Sequence, residues 1–177
     1  LQGAQIYIGH NPGNIQRAQT VVISSAIKEE NVELAAAHKQ NTRVITRAQA
    51  LAMLLEGYTS VAVAGTHGKT TTTSMLTIAL QSMGMDPSFA IGGTPHDSRA
   101  NSHQGSGSIF VVEADESDGS FVEYHPNFAI ITNVEMDHVD HFADKNAINQ
   151  AFESLVATVK KAVVLCADDV GSARLAP

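Results

Sequence analysis

The chain has 177 residues, of which 44% are hydrophobic and 16% charged, and its formal net charge is −7. This length suits one ordinary domain or parts of two, and the acidic balance argues against a nucleic-acid partner, which would need clustered lysine and arginine. The sequence shows neither an apolar run of about 20 residues nor the basic and apolar regions of a secretion signal, so we expect no membrane insertion and no export.

The first third of the chain alternates short apolar runs with helix-length segments, which is typical of a parallel sheet with crossover helices. We predict strands at Ile6–Ile8, Val21–Ile23 and Val44–Thr46, a helix capped by Asn31, and a second helix carrying Ala48, Leu51, Leu54 and Leu55. Gly57 is placed to end the second helix. We therefore expect a domain boundary near Gly57–Ser60, which divides the chain into residues 1–58 and 59–177.

After this boundary the alternation restarts with more apolar strands. We predict strands at Val61–Ala64, Ile109–Val112, Ala129–Ile131 and Val163–Leu165, a helix from Thr70 with Met75, Leu76, Ala79, Leu80 and Met83 on its apolar side, and a helix from Ala147 to about Lys160. Residues 92–107 form a predicted long loop, a kind of segment that often carries function. Cys166 is the single cysteine, which excludes an internal disulfide, and its apolar, strand-like setting indicates an inert thiol. The composition fits a reducing cytoplasm. The predicted fold class is α/β.

The strongest functional pattern is a glycine-containing turn between a buried strand and a helix. Its members are Gly65, Thr66, His67, Gly68, Lys69, Thr70 and Thr71. Glycines let backbone N–H groups approach an anion, and the helix N-terminus adds free N–H groups and partial positive charge. In such a loop Lys69 reaches the terminal phosphates and the Thr70 hydroxyl binds Mg²⁺. Val63 stands where the strict pattern has its first glycine, so the loop is a shortened variant. The alternative is an ordinary strand-to-helix turn with an incidental lysine.

Two polar segments follow other predicted strands. Glu113, Asp115, Glu116 and Asp118 lie directly after the strand at Ile109–Val112, and Thr132 to His141 follow the next one. The carboxyl ends of parallel strands meet at one edge of a sheet, so both segments should lie beside the loop. Crowded carboxylates suit a cation, although a solvated acidic loop is the alternative. His138 lies in a cluster at the end of a predicted strand, which makes it a candidate to bind a cation or orient the phosphates. We interpret His38, His96, His103 and His125 as surface residues.

Together these three segments resemble the Mur ligase family. Residues 65–71 are similar to its ATP loop, and Thr132-Asn133 with Asp137-His138-Val139-Asp140 are similar to its Asn…Asp-His-x-Asp segment. The resemblance implies that residues 1–58 are the C-terminal part of a Rossmann-like domain for a UDP-linked substrate. Residues 59–177 would be the N-terminal part of a central ATP-binding domain of the P-loop type. Both ends of the chain look cut, so we expect an inactive piece of a longer enzyme.

The resemblance also implies an ATP-dependent, amide-forming ligase of peptidoglycan precursor synthesis in the cytoplasm, with Mg²⁺ as its metal. Lys69, Glu113 and His138 would be catalytic. Thr70 and Glu113 would hold one Mg²⁺, and Glu113 and His138 a second. His67 either contacts substrate or shapes the loop. Weaker candidates for substrate contacts are His10, Ser24, Glu116 and Ser117.

Residues 113–121, together with Ser24–Ile27 and Arg47-Ala48, resemble the family members that join L-alanine to UDP-N-acetylmuramate. The members that recycle a tripeptide onto the same sugar nucleotide are the first alternative, and they tend to carry tyrosine in place of Ser117. A phosphotransferase or plain nucleoside triphosphatase is a second alternative. A nucleotide-binding module without catalysis is a third.

Overall fold

The computed structural model describes residues 3–93, 100–116, 119–136 and 144–176. Two compact units divide the chain, Leu1–Leu51 and Ala52–Pro177. The division falls inside the second α-helix. Within the described residues, no helix combines the length and the apolarity needed to cross a bilayer.

The first unit contains a two-stranded parallel sheet. Its elements are a 3₁₀ helix Pro12–Ile15, β1 Thr20–Ile23, α1 Val32–Lys39, β2 Arg43–Thr46 and the start of α2 Arg47–Leu54. α1 begins as predicted, because the Asn31 side chain accepts hydrogen bonds from the N–H groups of Glu33 and Leu34. Leu34 and Ala37 of α1 are buried, as is Ile45 of β2.

The strand predicted at Ile6–Ile8 is wrong. These residues form no strand, Ile8 lies in a bend, and the exposed fractions of Ile6, Tyr7 and Ile8 are 64%, 55% and 99%. An apolar run specifies a strand only where a neighbouring strand and a covering layer are available to it. The described part of the chain supplies neither to this segment.

The second unit is built on a six-stranded sheet with the order β5-β4-β6-β3-β7-β8. Its strands are β3 Thr59–Ala64, β4 Ser88–Ala90, β5 Ser102–His103, β6 Ile109–Glu113, β7 Phe128–Ile131 and β8 Ala162–Leu165. Its helices are α3 Lys69–Ser82, a 3₁₀ helix Ser120–Tyr124, α4 Lys145–Thr158 and α5 Val170–Ala173. All neighbouring strands are parallel except β4 and β5. The predicted mainly parallel α/β sheet is therefore confirmed.

β3 lies at the centre of the sheet, with β6 on one side and β7 on the other. In the parallel register Val63 is opposite Glu113 of β6, and Ala64 is opposite Ile131 of β7. The three strands consequently end at the same edge. The segments that follow them are the three that the sequence marks for function.

The buried face of α3 differs from the prediction. Met75 and Met83 are 66% and 69% exposed, whereas Thr73 and Thr77 are buried. The Thr73 hydroxyl donates to Lys69 O at 2.8 Å, and the Thr77 hydroxyl donates to Thr73 O at 2.8 Å. Because these bonds satisfy the hydroxyls within the helix, threonine methyl groups can face the sheet without a desolvation penalty.

The core beside α3 includes a strand that the sequence analysis missed. Phe89 of β4 packs with Ile91 and Val111 in a buried cluster, against which Leu76 and Leu80 of α3 lie. β4 has three residues and ends just before the predicted long loop, residues 92–107, inside which the structure also forms the two-residue strand β5. A run this short carries too little periodicity to be recognised.

Candidate nucleotide-binding site

The turn between β3 and α3 adopts a conformation that depends on glycine at two positions. Gly65 has φ +137° and Gly68 has φ +80°, both in the region that favours glycine. A Cβ atom at Gly65 would collide with the Thr132 side chain, which lies against it. Gly68 directly precedes Lys69, the first residue of α3. The four residues Gly65–Gly68 thus form a tight turn that ends on a helix N-terminus.

The segment after β7 holds this turn in place through side chains. The His67 N–H donates to Asn133 Oδ1 at 2.8 Å, and Asn133 Nδ2 donates back to His67 O at 3.1 Å. The Thr132 hydroxyl donates to the same carbonyl at 2.7 Å. The Glu135 N–H donates to Thr66 Oγ1 at 2.9 Å, while the Thr66 hydroxyl contacts Glu135 O at 3.2 Å. These bonds fix the turn before any ligand arrives.

Lys69 points back over the turn. Its Nζ donates to Gly65 O at 2.8 Å and approaches Thr66 O at 3.3 Å. It also lies 2.9 Å from Oε1 and 2.8 Å from Oε2 of Glu116, forming an ion pair. The Lys69 side chain is 12% exposed and the Glu116 side chain is fully buried. Glu116, a predicted substrate contact, is therefore placed against the loop lysine.

Thr70 and Glu113, the predicted holders of one Mg²⁺, lie together. The Thr70 hydroxyl donates to Glu113 Oε1 at 2.9 Å, and the Gly92 N–H donates to Glu113 Oε2 at 2.7 Å. Two neighbouring ligands ~2.0–2.1 Å from an octahedral Mg²⁺ lie about 2.9 Å apart, so the pair of oxygens fits this ion. Among the described residues there is no cluster of three His, Cys, Asp or Glu. Mg²⁺ keeps several waters and takes substrate phosphates as further ligands, so two protein oxygens are enough to hold it.

The remaining predicted site residues are placed as follows. Thr71 is exposed in the first turn of α3, and the His67 side chain is exposed. His138 and Ser117 lie outside the described residues. In the first unit Ser24 is exposed after β1. His10 Nδ1 lies 2.7 Å from Glu33 Oε2.

The contact between His10 and Glu33 belongs to a small polar cluster at the start of α1. Asn14 Nδ2 donates to Glu33 Oε1 at 2.7 Å, and the Asn11 N–H donates to the same oxygen at 3.3 Å. These hydrogen bonds, first that of His10 and then that of Asn14, hold the pKa of Glu33 below its usual value. His10 is thus oriented by a carboxylate.

The sequence analysis missed a second support of the site. Asp169 Oδ1 accepts hydrogen bonds from the N–H groups of Val134, at 3.0 Å, and Ser172, at 2.6 Å. It thereby caps α5 and ties that helix to the segment that holds the turn. A Cβ atom at Gly171 would collide with Val134 O, so the close approach requires glycine. An aspartate before a short helix was the available signal.

Comparison with known proteins matches this arrangement to one family. Residues 63–176 match the family model described as the Mur ligase middle domain, and residues 1–59 match that of the Mur ligase family, catalytic domain. The chain belongs to the Mur ligase family. This agrees with the resemblance carried by the loop and its two partner segments.

Curated Mur ligases that match the chain are longer than it. It is 50% identical to a UDP-N-acetylmuramate–L-alanine ligase of Saccharopolyspora erythraea, over 99% of this chain and 37% of that protein. It is 48% identical to the ligase of the same name from Mycolicibacterium smegmatis, over 99% of this chain and 38% of that one. The chain therefore spans less than two fifths of the length of these relatives.

Solved Mur ligase structures have the same fold. The UDP-N-acetylmuramate:L-alanyl-γ-D-glutamyl-meso-diaminopimelate ligase of Neisseria meningitidis matches with a TM-score of 0.85 and 32% identity, over 96% of this chain and 59% of that one. The UDP-N-acetylmuramate–alanine ligase of Thermotoga maritima matches with a TM-score of 0.83 and 28% identity, over 98% and 41%. Both branches that the sequence analysis weighed are thus represented among its structural relatives.

Proposed function

We propose that this chain is the part of a UDP-N-acetylmuramate–L-alanine ligase that binds the triphosphate of ATP. The observation that carries the proposal is the preformed turn Gly65–Gly68, which brings Lys69 and the pair Thr70–Glu113 to one sheet edge. Identity of 46–50% to relatives of that name, across nearly the whole chain, supports the choice of substrate class. We further propose a cytoplasmic site of action, where ATP and sugar nucleotides are available.

In the proposed reaction the muramoyl carboxylate attacks the γ-phosphorus of ATP, giving an acyl phosphate and ADP. The amine of L-alanine then attacks the acyl carbon, inorganic phosphate leaves and the amine gives up a proton. Backbone N–H groups of the turn and of the first turn of α3 bind phosphate oxygens. The Lys69 ammonium group offsets negative charge on the transferring group.

Thr70 and Glu113 are the described residues that would hold Mg²⁺, which supplies further charge neutralisation on the phosphates. Glu113 is oriented by the Gly92 N–H, so its second oxygen stays directed at Thr70. We propose His138 as the holder of a second ion, on the strength of the family resemblance. It lies outside the described residues.

The two family-model matches meet between residues 59 and 63, which supports a division into domains 1–58 and 59–177. We propose that the first domain binds the UDP-linked substrate, with His10 and Ser24 as contacts. His10 is held by Glu33 and Ser24 is exposed at the end of a strand, both suitable for contact with a polar ligand.

A second candidate is the tripeptide-recycling ligase, favoured by the structural match to the Neisseria enzyme. Both candidates use the same sugar nucleotide and differ in the incoming amine. A full-length ligase containing these residues should release phosphate in the presence of L-alanine. Release that depends on the tripeptide instead would assign the chain to the recycling branch.

The test of the nucleotide site is Lys69→Ala in that full-length ligase. We expect kcat to fall on the order of 10²–10³-fold, as when a group that stabilises transition-state charge is removed. Lys160→Ala, which removes an exposed lysine just after α4, is the matched control and should leave the rate unchanged. Undiminished activity of the Lys69 variant, with its melting transition retained, would refute the proposed function.

A further inference from the structure

Phosphate binding by the loop does not require the ion pair between Lys69 and Glu116. An ammonium group has three protons to donate. The structure shows Lys69 Nζ in contact with two loop carbonyl oxygens and both carboxylate oxygens of Glu116. All its donors are therefore engaged. A phosphate oxygen can reach the ammonium group only if one of these partners gives way.

Charge decides which partner gives way. The carbonyls of Gly65 and Thr66 are neutral and belong to the turn that the Asn133 segment fixes. Glu116 is an anion with no exposed surface, so little solvent screens its repulsion of an arriving phosphate. Without ligand, the same carboxylate neutralises an ammonium group that is itself almost buried. Glu116 thus stabilises the empty site and opposes the filled one.

We propose that Glu116 is a positioning residue that holds Lys69 in a resting position and competes with the terminal phosphates of a nucleotide for its ammonium group. Nucleotide binding then includes an exchange of the carboxylate for a phosphate on Lys69. The inference rests on the proposed function, because it requires that the loop bind nucleotide. In this inference Glu116 acts on Lys69, whereas the sequence analysis made it a candidate for direct contact with substrate.

The experiment measures ADP and AMP binding by titration calorimetry to the purified 177-residue chain and to Glu116→Gln, which keeps the shape and removes the charge. We expect Kd for ADP to fall on the order of tenfold in the variant, equivalent to about 1.4 kcal/mol. AMP has no phosphate that reaches Lys69, so its Kd should not change. The unliganded variant should melt at a lower temperature, because a buried ammonium group has lost its counter-charge.

Two further variants show whether the effect passes through Lys69. In a Lys69→Met background, Glu116→Gln should no longer alter Kd for ADP. Glu123→Gln removes the same charge from an exposed position near Ser60, at the amino end of β3, and should leave both affinities unchanged. If Glu116→Gln does not fold, Glu116→Asp serves as the test. It keeps the negative charge but moves it away from Lys69, so we expect a smaller fall in Kd for ADP.

The outcomes separate this inference from the proposed function. If the wild-type chain binds ADP and Glu116→Gln binds it with equal or lower affinity, the result would refute the exchange of carboxylate for phosphate on Lys69 but not the nucleotide site. An equal gain for AMP, or a gain that persists without Lys69, would also overturn it. Wild-type chain that binds no ADP would overturn the inference together with the nucleotide site.

Discussion

At the scale of single residues, the site depends on oxygen atoms held in advance of the ligand. Glu113 accepts from the Thr70 hydroxyl through one oxygen and from the Gly92 N–H through the other. A carboxylate with both oxygens engaged keeps one orientation. The entropy of ordering it is therefore lost on folding and not on binding, which favours tight and geometrically selective binding.

Glu113→Gln in a full-length ligase keeps this shape and removes the charge. We expect the Mg²⁺ concentration for half-maximal rate to rise on the order of 10- to 100-fold, the range seen when groups around a metal are altered. Initial rates across a Mg²⁺ series at saturating ATP measure it. Glu123→Gln is the control for a general loss of negative charge. An unchanged Mg²⁺ dependence would mean that Glu113 only supports the loop.

At the scale of elements, the turn after β3 takes its shape from the segment after β7. Asn133 contributes two hydrogen bonds to the backbone of His67, across the edge of the sheet. At the other end of the same strand, Asn127 Oδ1 accepts from the N–H and the hydroxyl of Ser60. The two asparagines provide a comparison in which only one of them serves the site.

Asn133→Ala should lower stability by about 0.5–1.5 kcal/mol, the net contribution of a typical hydrogen bond, and should weaken ADP binding because the turn loses its support. Asn127→Ala should lower stability by at least as much, because its partner Ser60 is buried, and leave ADP affinity unchanged. Urea denaturation and calorimetry measure the two effects. Equal loss of affinity in both variants would show that it reflects general destabilisation.

The buried face of α3 gives a second prediction at this scale. Leu80 lies against the buried cluster around Phe89, whereas Met83 is 69% exposed. Leu80→Ala should reduce the free energy of unfolding by about 2–3 kcal/mol, and Met83→Ala by less than about 0.5 kcal/mol. Urea denaturation compares them. Similar losses in the two variants would support the apolar side predicted from the sequence, which includes both Leu80 and Met83.

Sequence patterns predict a strand or a loop well where nearby residues alone determine its structure. The apolar runs at β3, β6, β7 and β8, and the glycines around Lys69, identify the sheet and its loop. The buried threonines of α3 could not be predicted, because their hydroxyls are satisfied by carbonyls that only the folded helix supplies. The burial of Glu116 is equally hidden, since it depends on a lysine 47 residues away in the sequence.

At the scale of the whole molecule, the chain spans less than two fifths of the length of the Saccharopolyspora and Mycolicibacterium relatives, and we propose that it supplies only part of a reaction site. Ligation needs the acyl carboxylate, the γ-phosphate and the amine in near-attack geometry, and such positioning can supply roughly 7–11 kcal/mol of the barrier. Residues 63–176 match the family's middle domain, and relatives are about two and a half times as long. We propose that the matched segment supplies the phosphate-binding part of this site.

We therefore expect the 177-residue chain alone to bind ADP but to form no UDP-N-acetylmuramoyl-L-alanine. The assay supplies ATP, Mg²⁺, UDP-N-acetylmuramate and L-alanine and follows phosphate release and product mass. A full-length relative assayed in parallel shows that the conditions support ligation. Substantial product that depends on alanine would refute the proposal that this chain supplies only part of the reaction site.

The dependence of the turn on Asn133 also has a consequence for biosynthesis. His67 leaves the ribosome 66 residues ahead of the asparagine that fixes its backbone. At ~5–20 residues per second, this interval lasts roughly 3–13 s. During that time the glycine turn lacks the hydrogen bonds that fix it, so the proposed phosphate site is incomplete. Under the proposed function, ATP can therefore stabilise the nascent domain only after Asn133, which follows β7, has been made.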